Sequence, residues 1–343
     1  MPPKKDNGAA LKQLKKSLKE NALSTLYLFH GEEAYLRDFY LGEMKKRILT
    51  PGLEEFNLHT IQGKDASPRA ISEAVDCLPM MSERTMVLVT DYDLFKAPAD
   101  HRDALAALFA ALPEYVCLVF VYDLIEYKPD ARTKLAQALK AHGLTVPFPH
   151  QAQGDLVDWI CRRFRALDRD IDSEQARYLI FLCGDLMNAL AGEISKIGAY
   201  AKHTRVTRQD IDAVAVPRLD ARVFQMTDAV LSRDFDAAAR VLGELIGQQE
   251  APIMILSVLG KQLRQLHTAR LGLEAGKSSR YLVELWNMHP YPAEKLMSAA
   301  GRFDERWCRR AVARAAQTDL AMKSTGGDAG ELLTSLLLEL AHG

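Results

Sequence analysis

The sequence predicts an α/β domain followed by two all-helical domains. In the first 150 residues, short apolar runs of strand length alternate with stretches of helical periodicity, which is the order of an α/β fold. After Pro147 and Pro149 the strand-like runs end, and helical periodicity continues through the rest of the chain. The length of 343 residues suits two or three domains of ordinary size.

Five strands are expected in the first domain, which spans residues 1–150. Continuous apolar runs at Thr85–Thr90 and at 115–122 suit parallel strands that are buried on both faces. The other three strands are predicted at residues 26–29, 56–61 and 144–148. Helices are predicted between the strands, over residues 33–49, 68–77, 102–112 and 130–141.

The helical part divides into a small domain of residues 151–216 and an all-α domain of residues 217–343, with a linker at 216–220. Helices of the small domain are predicted at residues 153–167, 173–183, 186–203 and 208–214. Helices of the last domain are predicted at residues 220–233, 235–248, 252–274, 280–286, 292–300, 304–323 and 329–341. A flexible break is expected at 323–327, where Ser, Thr and Gly precede the last helix.

Composition and charge exclude a global affinity for polyanions. The 44 Lys and Arg residues are balanced by 45 Asp and Glu residues, so only a local basic stripe could contact nucleic acid. The five cysteines are widely spaced and form no C-x-x-C motif, which predicts reduced thiols in a cytoplasmic protein. No apolar run approaches the length of a membrane span and no signal-peptide pattern is present, so no membrane contact is expected.

The turn after the first strand is the place where a nucleotide-binding α/β domain carries its phosphate loop. That loop follows the pattern G-x-x-x-x-G-K-[ST], because glycine amides cradle the phosphates, the Lys neutralises them and the hydroxyl holds Mg²⁺. Here the turn contains Gly31, Glu32 and Glu33, with no Lys and no second glycine. Carboxylates at this place repel a triphosphate. The sequence therefore predicts that the nucleotide site is lost and that no cofactor is bound.

Other motifs that could indicate nucleotide binding, metal binding or catalysis are weak. The segment 272–278 resembles a phosphate loop, but it is one residue too short and follows a helix, so Gly276 is predicted to end that helix in the left-handed conformation. Asp91 and Asp93 follow the strand Thr85–Thr90 and are expected to form a solvated turn. The histidines are scattered and no hydrolase motif is present, so neither catalytic residues nor a metal site are predicted.

A compact apolar cluster lies between the predicted helix 68–77 and the strand Thr85–Thr90. It consists of Leu78, Pro79, Met80 and Met81. Large apolar side chains in a loop either pack back into the core or project into a partner, and Met is a favoured residue of adaptable binding surfaces. Both alternatives stay open on the residues alone.

Arginines spaced four residues apart form a second candidate surface, here called the arginine stripe. Its members are Arg302, Arg306, Arg310 and Arg314. Residues four apart share a helical face, so the stripe could follow a phosphate backbone. The alternative is a solvated face that is paired with acids such as Asp304 and Glu305.

Short motifs follow one another in a particular order over essentially the whole chain. In the first domain they are the segments 27–33, 78–84 and 148–150. In the helical part they are 184–186 with 193–196, 223–224 with 228–229, Pro252 ahead of 262–264, and 319–323. Their order and spacing resemble the delta subunits of bacterial DNA polymerase III clamp loaders.

The resemblance implies an AAA+-like α/β domain that lacks a functional P-loop, a small helical lid domain and an all-α collar domain that joins the other clamp-loader subunits. In this family the delta subunit binds the ring-shaped sliding clamp and helps to open it for loading onto primed DNA. The clamp contact is a pair of large hydrophobic residues, often Leu-Phe or Phe-Phe, at the place of Met80 and Met81. The resemblance thus favours partner binding for the loop of Leu78–Met81.

Two other functions are compatible with the residues. One is an active AAA+ ATPase with an unorthodox site, and the other is a stand-alone DNA-binding protein that uses the arginine stripe. The resemblance instead implies a chain without a catalytic site of its own inside a DNA polymerase holoenzyme, with ATP hydrolysis carried out by other subunits. The arginine stripe would then contact either another subunit or DNA passing under the collar.

Overall fold

The computed structural model describes residues 7–324 and 327–342. The chain divides into two compact units. The first unit contains the described residues up to Ala152 together with Leu186–Asn188, and the second contains Gln153–Asp185 and the described residues from Ala189 onwards. The division into three domains at about 150 and 216 stays a prediction. The break predicted at 323–327 includes positions 325 and 326, which lie outside the described residues.

A five-stranded parallel sheet forms the centre of the first unit. Its strands are β1 (Leu26–His30), β2 (Leu58–Gln62), β3 (Thr85–Thr90), β4 (Val116–Val121) and β5 (Leu144–Pro147), in the order β2-β3-β4-β1-β5. All four pairings are parallel, as the continuous apolar runs of β3 and β4 predicted. Because β1 lies between β4 and β5, the turn after β1 lies between the ends of these two strands.

Helices cover both faces of this sheet. They are α1 (Asn7–Glu20), α2 (Ala34–Ile48), α3 (Glu54–Asn57), α4 (Pro68–Val75), α5 (Ala99–Ala110) and α6 (Lys134–His142). On one face, side chains of α1 and α2 pack with Tyr27 and Phe29 of β1. On the other face, side chains of α4, α5 and α6 pack with Leu26 and Leu28. The alternation along β1 therefore supplies both cores, as expected for a strand with two buried faces.

Four elements of the first unit differ from the sequence prediction, and one of them is α5, which begins at Ala99 and not at residue 102. Helix α1 was not predicted, because its buried Leu14 and Leu18 lie among four lysines. Residues 56 and 57 belong to the short helix α3 and not to a strand, so β2 begins only at Leu58. Helix α6 begins four residues after the predicted start, because the Thr133 hydroxyl accepts a hydrogen bond from the backbone N–H of Ala136 and caps the helix there.

The second unit is entirely helical apart from an isolated bridge between Asp170 and Arg205. Its helices are α7 (Gln153–Arg165), α8 (Ser173–Cys183), α9 (Met187–Tyr200, whose first two residues belong to the first unit), α10 (Arg208–Val214), α11 (Leu219–Leu231), α12 (Phe235–Gly247), α13 (Pro252–Glu274), α14 (Ser279–Trp286), α15 (Pro290–Ala300), α16 (Glu305–Ser324) and α17 (Ala329–His342). The long helix α13 is central, since α11, α14, α15, α16 and α17 all pack against it around one apolar core.

The predicted fold class, an α/β domain followed by helices, is confirmed. Most predicted helices of the second unit agree with the structure to within two residues at each end. None of the described helices is by itself long and apolar enough to cross a membrane. The bent pair of α8 and α9 passes that test only when the two helices are counted together.

Candidate functional site

The apolar loop between α4 and β3 projects from the first unit. The side chains of Leu78, Met80 and Met81 are 73%, 50% and 84% exposed, and none of them belongs to a hydrophobic core. Pro79 between them is half-buried. Exposed apolar side chains that are contiguous in this way are typical of interaction surfaces. The role of the four residues in binding a partner stays a prediction.

One end of the loop is anchored by Asn57, the last residue of α3. Its amide oxygen Oδ1 accepts a hydrogen bond from the backbone N–H of Met80 at 2.8 Å. Its amide nitrogen Nδ2 donates to the carbonyl oxygens of Met80 at 3.0 Å and Leu53 at 3.1 Å. Asn57 falls within the strand predicted at residues 56–61, and no local pattern indicates this contact, because Met80 lies 23 residues further along the chain.

The other end of the loop is anchored by Ser82 and Arg84. The Ser82 hydroxyl lies 3.4 Å from the carbonyl oxygen of Ile48. The Arg84 guanidinium donates to the carbonyl oxygens of Leu23 at 2.9 Å and Val116 at 2.8 Å. These bonds join the residues after Met81 to α2, to the segment before β1 and to β4.

Between the two anchors, Met81 adopts the left-handed backbone conformation with φ 49°. This conformation is unfavourable for residues that have a Cβ atom, so the surrounding structure must impose it. Met81 is one of the residues that line a groove of about 670 Å³. Its lining includes Arg47 and Arg84 as well as Thr50 and Asn21, so the apolar tip of the loop adjoins a polar surface.

The turn after β1, which is the place of the phosphate loop in nucleotide-binding α/β domains, is closed against the end of the sheet. Gly31 has φ 121°, and a Cβ atom at this position would lie 2.3 Å from the carbonyl oxygen of Phe148. The same carbonyl accepts a hydrogen bond from the backbone N–H of Glu33 at 3.0 Å. The Glu33 side chain is buried, and its Oε2 accepts a hydrogen bond from the backbone N–H of Met187 at 3.4 Å.

The charged groups at this sheet edge are paired with one another. The buried guanidinium of Arg37 lies 2.6 Å from the carboxylate of Asp123, two residues after β4, and 3.3 Å from that of Asp38. It also donates to the carbonyl oxygen of Tyr122 at 3.4 Å. The exposed carboxylate of Glu32 lies 2.5 Å from Nε2 of His150. The edge therefore holds carboxylates and an internally satisfied arginine, a set of groups that does not favour a bound triphosphate.

The two aspartates after β3 have structural contacts. Oδ1 of Asp91 accepts hydrogen bonds from the backbone N–H groups of Asp123 and Leu124, each at 2.8 Å. Asp93 accepts from the backbone N–H groups of two residues that follow it and lies 3.0 Å from Nζ of Lys96. Within residues 7–324 and 327–342, no group of three or more His, Cys, Asp or Glu side chains could hold a metal ion.

The prediction for Gly276 is confirmed. Helix α13 ends at Glu274, and Gly276 follows with a left-handed φ of 66°. The backbone N–H of Lys277 donates to the carbonyl oxygen of Gly272 at 2.8 Å, which closes the helix end. This segment is a helix cap and not a turn between a strand and a helix.

The arginine stripe lies on the surface of the second unit. Arg302 precedes α16, while Arg306, Arg310 and Arg314 lie on it, and all four side chains are exposed. Nε of Arg314 lies 3.2 Å from Oε2 of Glu339.

The two acids named as alternative partners for the stripe have other contacts. Oδ1 of Asp304 accepts from the backbone N–H of Trp307 and caps α16, and Oε1 of Glu305 lies 3.6 Å from Nη1 of Arg309. Neither of these contacts involves a member of the stripe, whose function stays a prediction.

The sequence matches two families of known proteins. Residues 27–148 match the family described as DNA polymerase III, delta subunit, and residues 220–340 match the family described as DNA polymerase III delta subunit, C-terminal domain. The two matches fall on the α/β sheet with its helices and on the helices from α11 to α17.

Individual proteins show the same similarity. The DNA polymerase III subunit delta of Bacillus subtilis is 24% identical over 332 residues, which cover 95% of each chain. The probable DNA polymerase III subunit delta of Aquifex aeolicus is 21% identical over 268 residues, covering 76% of this chain and 74% of the relative. The solved structure of the Bacillus subtilis DNA clamp loader delta protein superposes with a TM-score of 0.58 at 22% identity, covering 97% of this chain and all of that one.

Proposed function

The chain belongs to the family of DNA polymerase III delta subunits, and on this premise we propose that it binds the sliding clamp through Leu78, Pro79, Met80 and Met81. We propose further that this contact helps to open the clamp ring for loading onto primed DNA. As a clamp loader subunit, the chain would meet the other subunits through residues 217–343, and we expect it to act in the cytoplasm. DNA would be contacted by the whole assembly.

The observation that supports this proposal best is an exposed apolar pair on an anchored loop. Met80 and Met81 are 50% and 84% exposed, although hydrogen bonds from Asn57 on one side and Ser82 and Arg84 on the other fix the backbone around them. Apolar side chains held away from a core in this way gain free energy when a partner's pocket covers them. Unbranched Met side chains can adapt to the shape of that pocket.

Ring opening in this proposal is a shift between two states of the clamp. The loop favours the open ring only to the extent that it binds the open state more tightly than the closed one. The residues after β1 support a role without nucleotide, because Glu32, the buried Glu33 and the paired Arg37 stand in place of a phosphate loop. The energy of ATP hydrolysis would therefore enter through other subunits.

Two measurements test the proposed function with the full chain. In the first, purified chain is mixed with the cognate sliding clamp and the mixture is separated by size-exclusion chromatography. We expect a complex that elutes ahead of either protein, and two unshifted peaks at micromolar concentrations would contradict the proposal. In the second, clamps closed around circular DNA are incubated with the chain, and accelerated loss of clamps from the DNA is expected if the contact favours an open ring.

The arginine stripe supports a second candidate function, because three exposed arginines at four-residue spacing on α16, with the exposed Arg302 before the helix, could follow a phosphate backbone. Titration of primed DNA with the isolated chain at two salt concentrations separates the candidates. We expect weak binding by the chain alone, since the net charge is -1. Tight binding that falls steeply with salt would favour a stand-alone DNA-binding protein.

A further inference from the structure

We infer that Asn57 is a positioning residue, which holds Met80 and Met81 in the arrangement that a partner binds. This inference rests on the proposed clamp contact and deepens it. Asn57 does not itself face a partner, because its side chain is completely buried at the end of α3. Its influence on binding would act entirely through the backbone of Met80.

Two of the three hydrogen bonds of Asn57 are directed at the loop, and the third goes to the carbonyl oxygen of Leu53. A buried amide side chain is costly unless its polar atoms are paired. Asn57 meets this requirement by pairing with both backbone polar groups of Met80, the N–H at 2.8 Å and the carbonyl at 3.0 Å. The contact resembles one rung of a β-ladder in which a side chain replaces the second strand. A single side chain thus fixes the position and direction of the Met80 backbone.

The anchor at Met80 also helps to fix the backbone conformation of Met81. The left-handed φ of 49° at Met81 is disfavoured for a side chain with a Cβ atom. It is maintained because the residues on either side are held, Met80 by Asn57 and Ser82 by its hydrogen bond to the carbonyl oxygen of Ile48. Without the Asn57 bonds, the backbone at Met81 would relax toward the right-handed or extended conformations, and the side chain would point elsewhere.

An anchored loop binds more tightly than a mobile one. Ordering of side chains and loops at an interface opposes association, and a loop that is ordered in advance avoids that cost. Loss of Asn57 should therefore weaken clamp binding although every side chain that touches the clamp is still present. The contacts made by Met80 and Met81 would form only in the fraction of molecules with the native loop.

The test compares Asn57→Leu and Asn57→Asp with the unchanged chain in clamp-binding titrations. Asn57→Leu removes all bonds to Met80, and we expect about tenfold weaker binding. Asn57→Asp keeps the acceptor for the Met80 N–H but places a buried carboxylate oxygen against the carbonyl oxygens of Met80 and Leu53, so weaker binding is expected here too. The control is Leu124→Ser, an 88% exposed apolar residue of the same unit, which should bind as the unchanged chain does.

A double-mutant cycle distinguishes positioning from general destabilisation. If Asn57 acts through the loop tip, Asn57→Leu should weaken binding much less in a Met81→Ala background than in the unchanged chain. Equal effects in both backgrounds would overturn the inference. If Met80→Ser with Met81→Ser leaves clamp binding intact, the proposed contact itself fails. If that change abolishes binding while both Asn57 variants bind normally, only the role of Asn57 fails.

Hydrogen exchange tests the anchor without any variant. We expect the amide of Met80 in the free, unchanged chain to exchange markedly more slowly than the amides of exposed loop residues, because its N–H is bonded to buried Asn57. Exchange at the rate of an unprotected loop would overturn the inference, even if Asn57→Leu failed to fold. In a folded Asn57→Asp chain this protection should persist, since the acceptor oxygen is retained.

Discussion

The guanidinium of Arg37 and the carboxylate of Asp123 form an ion pair of 2.6 Å at the carboxyl ends of the central strands. Arg37 is 4% exposed and Asp123 is 45% exposed, so the arginine depends on this partner far more than the aspartate does. In a nucleotide-binding α/β domain, this edge of the sheet holds phosphates. Here the protein's own carboxylate takes the place of such an anion beside the buried cation.

Removal of the carboxylate should destabilise the first unit. We expect Asp123→Ala to lower the free energy of unfolding by about 1–3 kcal/mol, because it removes the nearer carboxylate partner of the buried Arg37 charge and leaves only Asp38, at 3.3 Å. Urea denaturation measures the change. The control is Asp130→Ala, which breaks an exposed ion pair of 3.0 Å with Arg132 and should leave the unfolding transition unchanged within error. Equal effects of the two substitutions would contradict the structural role of the Arg37 pair.

The carboxylates at the same sheet edge predict that the chain does not bind ATP. Equilibrium titration of the chain with a fluorescent ATP analogue should give no saturable signal at micromolar concentrations, with or without Mg²⁺. The reason is repulsion between the triphosphate and the carboxylates of Glu32 and Glu33, in a turn that has no Lys. Saturable micromolar binding would instead favour an active ATPase with an unorthodox site.

Cysteine reactivity offers a probe of the apolar loop. Cys77, directly before Leu78, is exposed, whereas burial raises the pKa of the Cys117 and Cys183 thiols to about 12 and that of Cys308 to about 11. We expect maleimide to modify Cys77 first, because the buried thiols are both inaccessible and protonated. Peptide mapping by mass spectrometry measures the order of modification.

The clamp should protect Cys77 from this reagent if the neighbouring loop is covered in the complex. The half-buried Cys161 of the second unit serves as an internal reference, because its slower modification should not change when the clamp is added. Unchanged modification of Cys77 in a saturated complex would place the clamp contact away from the loop.

A pH dependence is expected from His289 in the second unit. Burial lowers the pKa of His289 to about 4, an effect reinforced by the nearby Arg177 charge and opposed by Asp185. Since the unfolded histidine has a pKa of about 6.5, the unfolded chain takes up this proton first as pH falls. The stability contributed by the neutral ring is therefore complete above about pH 6.5 and is lost progressively between about pH 6.5 and 4.

The substitution His289→Asn isolates this contribution. Asn can still accept the hydrogen bond that Nδ1 of His289 accepts from the backbone N–H of Tyr291 at 3.2 Å, but it does not titrate. Urea denaturation at pH 7, 5.5 and 4.5 should show a smaller loss of stability on acidification for the variant. Parallel losses in both chains would contradict the prediction.

Local sequence patterns predict the strands of the sheet well and the helices that flank it less well. Strands β3 and β4 were identified because every residue but the last of β3 is buried, which requires apolar residues at almost all positions. The helix α1 was missed because its buried leucines are embedded in a charged segment. The start of α6 was misplaced because the capping bond of Thr133 decides it, and periodicity does not report such bonds.

The apolar loop between α4 and β3 also shows that local patterns do not report contacts with distant segments. Its four apolar residues stand out in the sequence, but whether they project or pack inward depends on anchors from distant segments. The bond between Asn57 and Met80 spans 23 residues, and the contact between Arg84 and Leu23 spans 61. Asn57 also occupies a position where alternating apolar residues suggested a strand, so its role could be recognised only once the partner backbone was placed beside it.

The clamp affinity of Met80→Ser with Met81→Ser, compared with that of a matched control, tests whether the apolar loop binds the clamp. The control, Leu124→Ser with Met254→Ser, removes two exposed apolar side chains elsewhere, which are 88% and 53% exposed. We predict that the loop variant loses clamp binding while its thermal unfolding temperature stays nearly unchanged, and that the control binds normally. Clamp binding that persists in the folded loop variant would show that the clamp contact lies elsewhere on the chain.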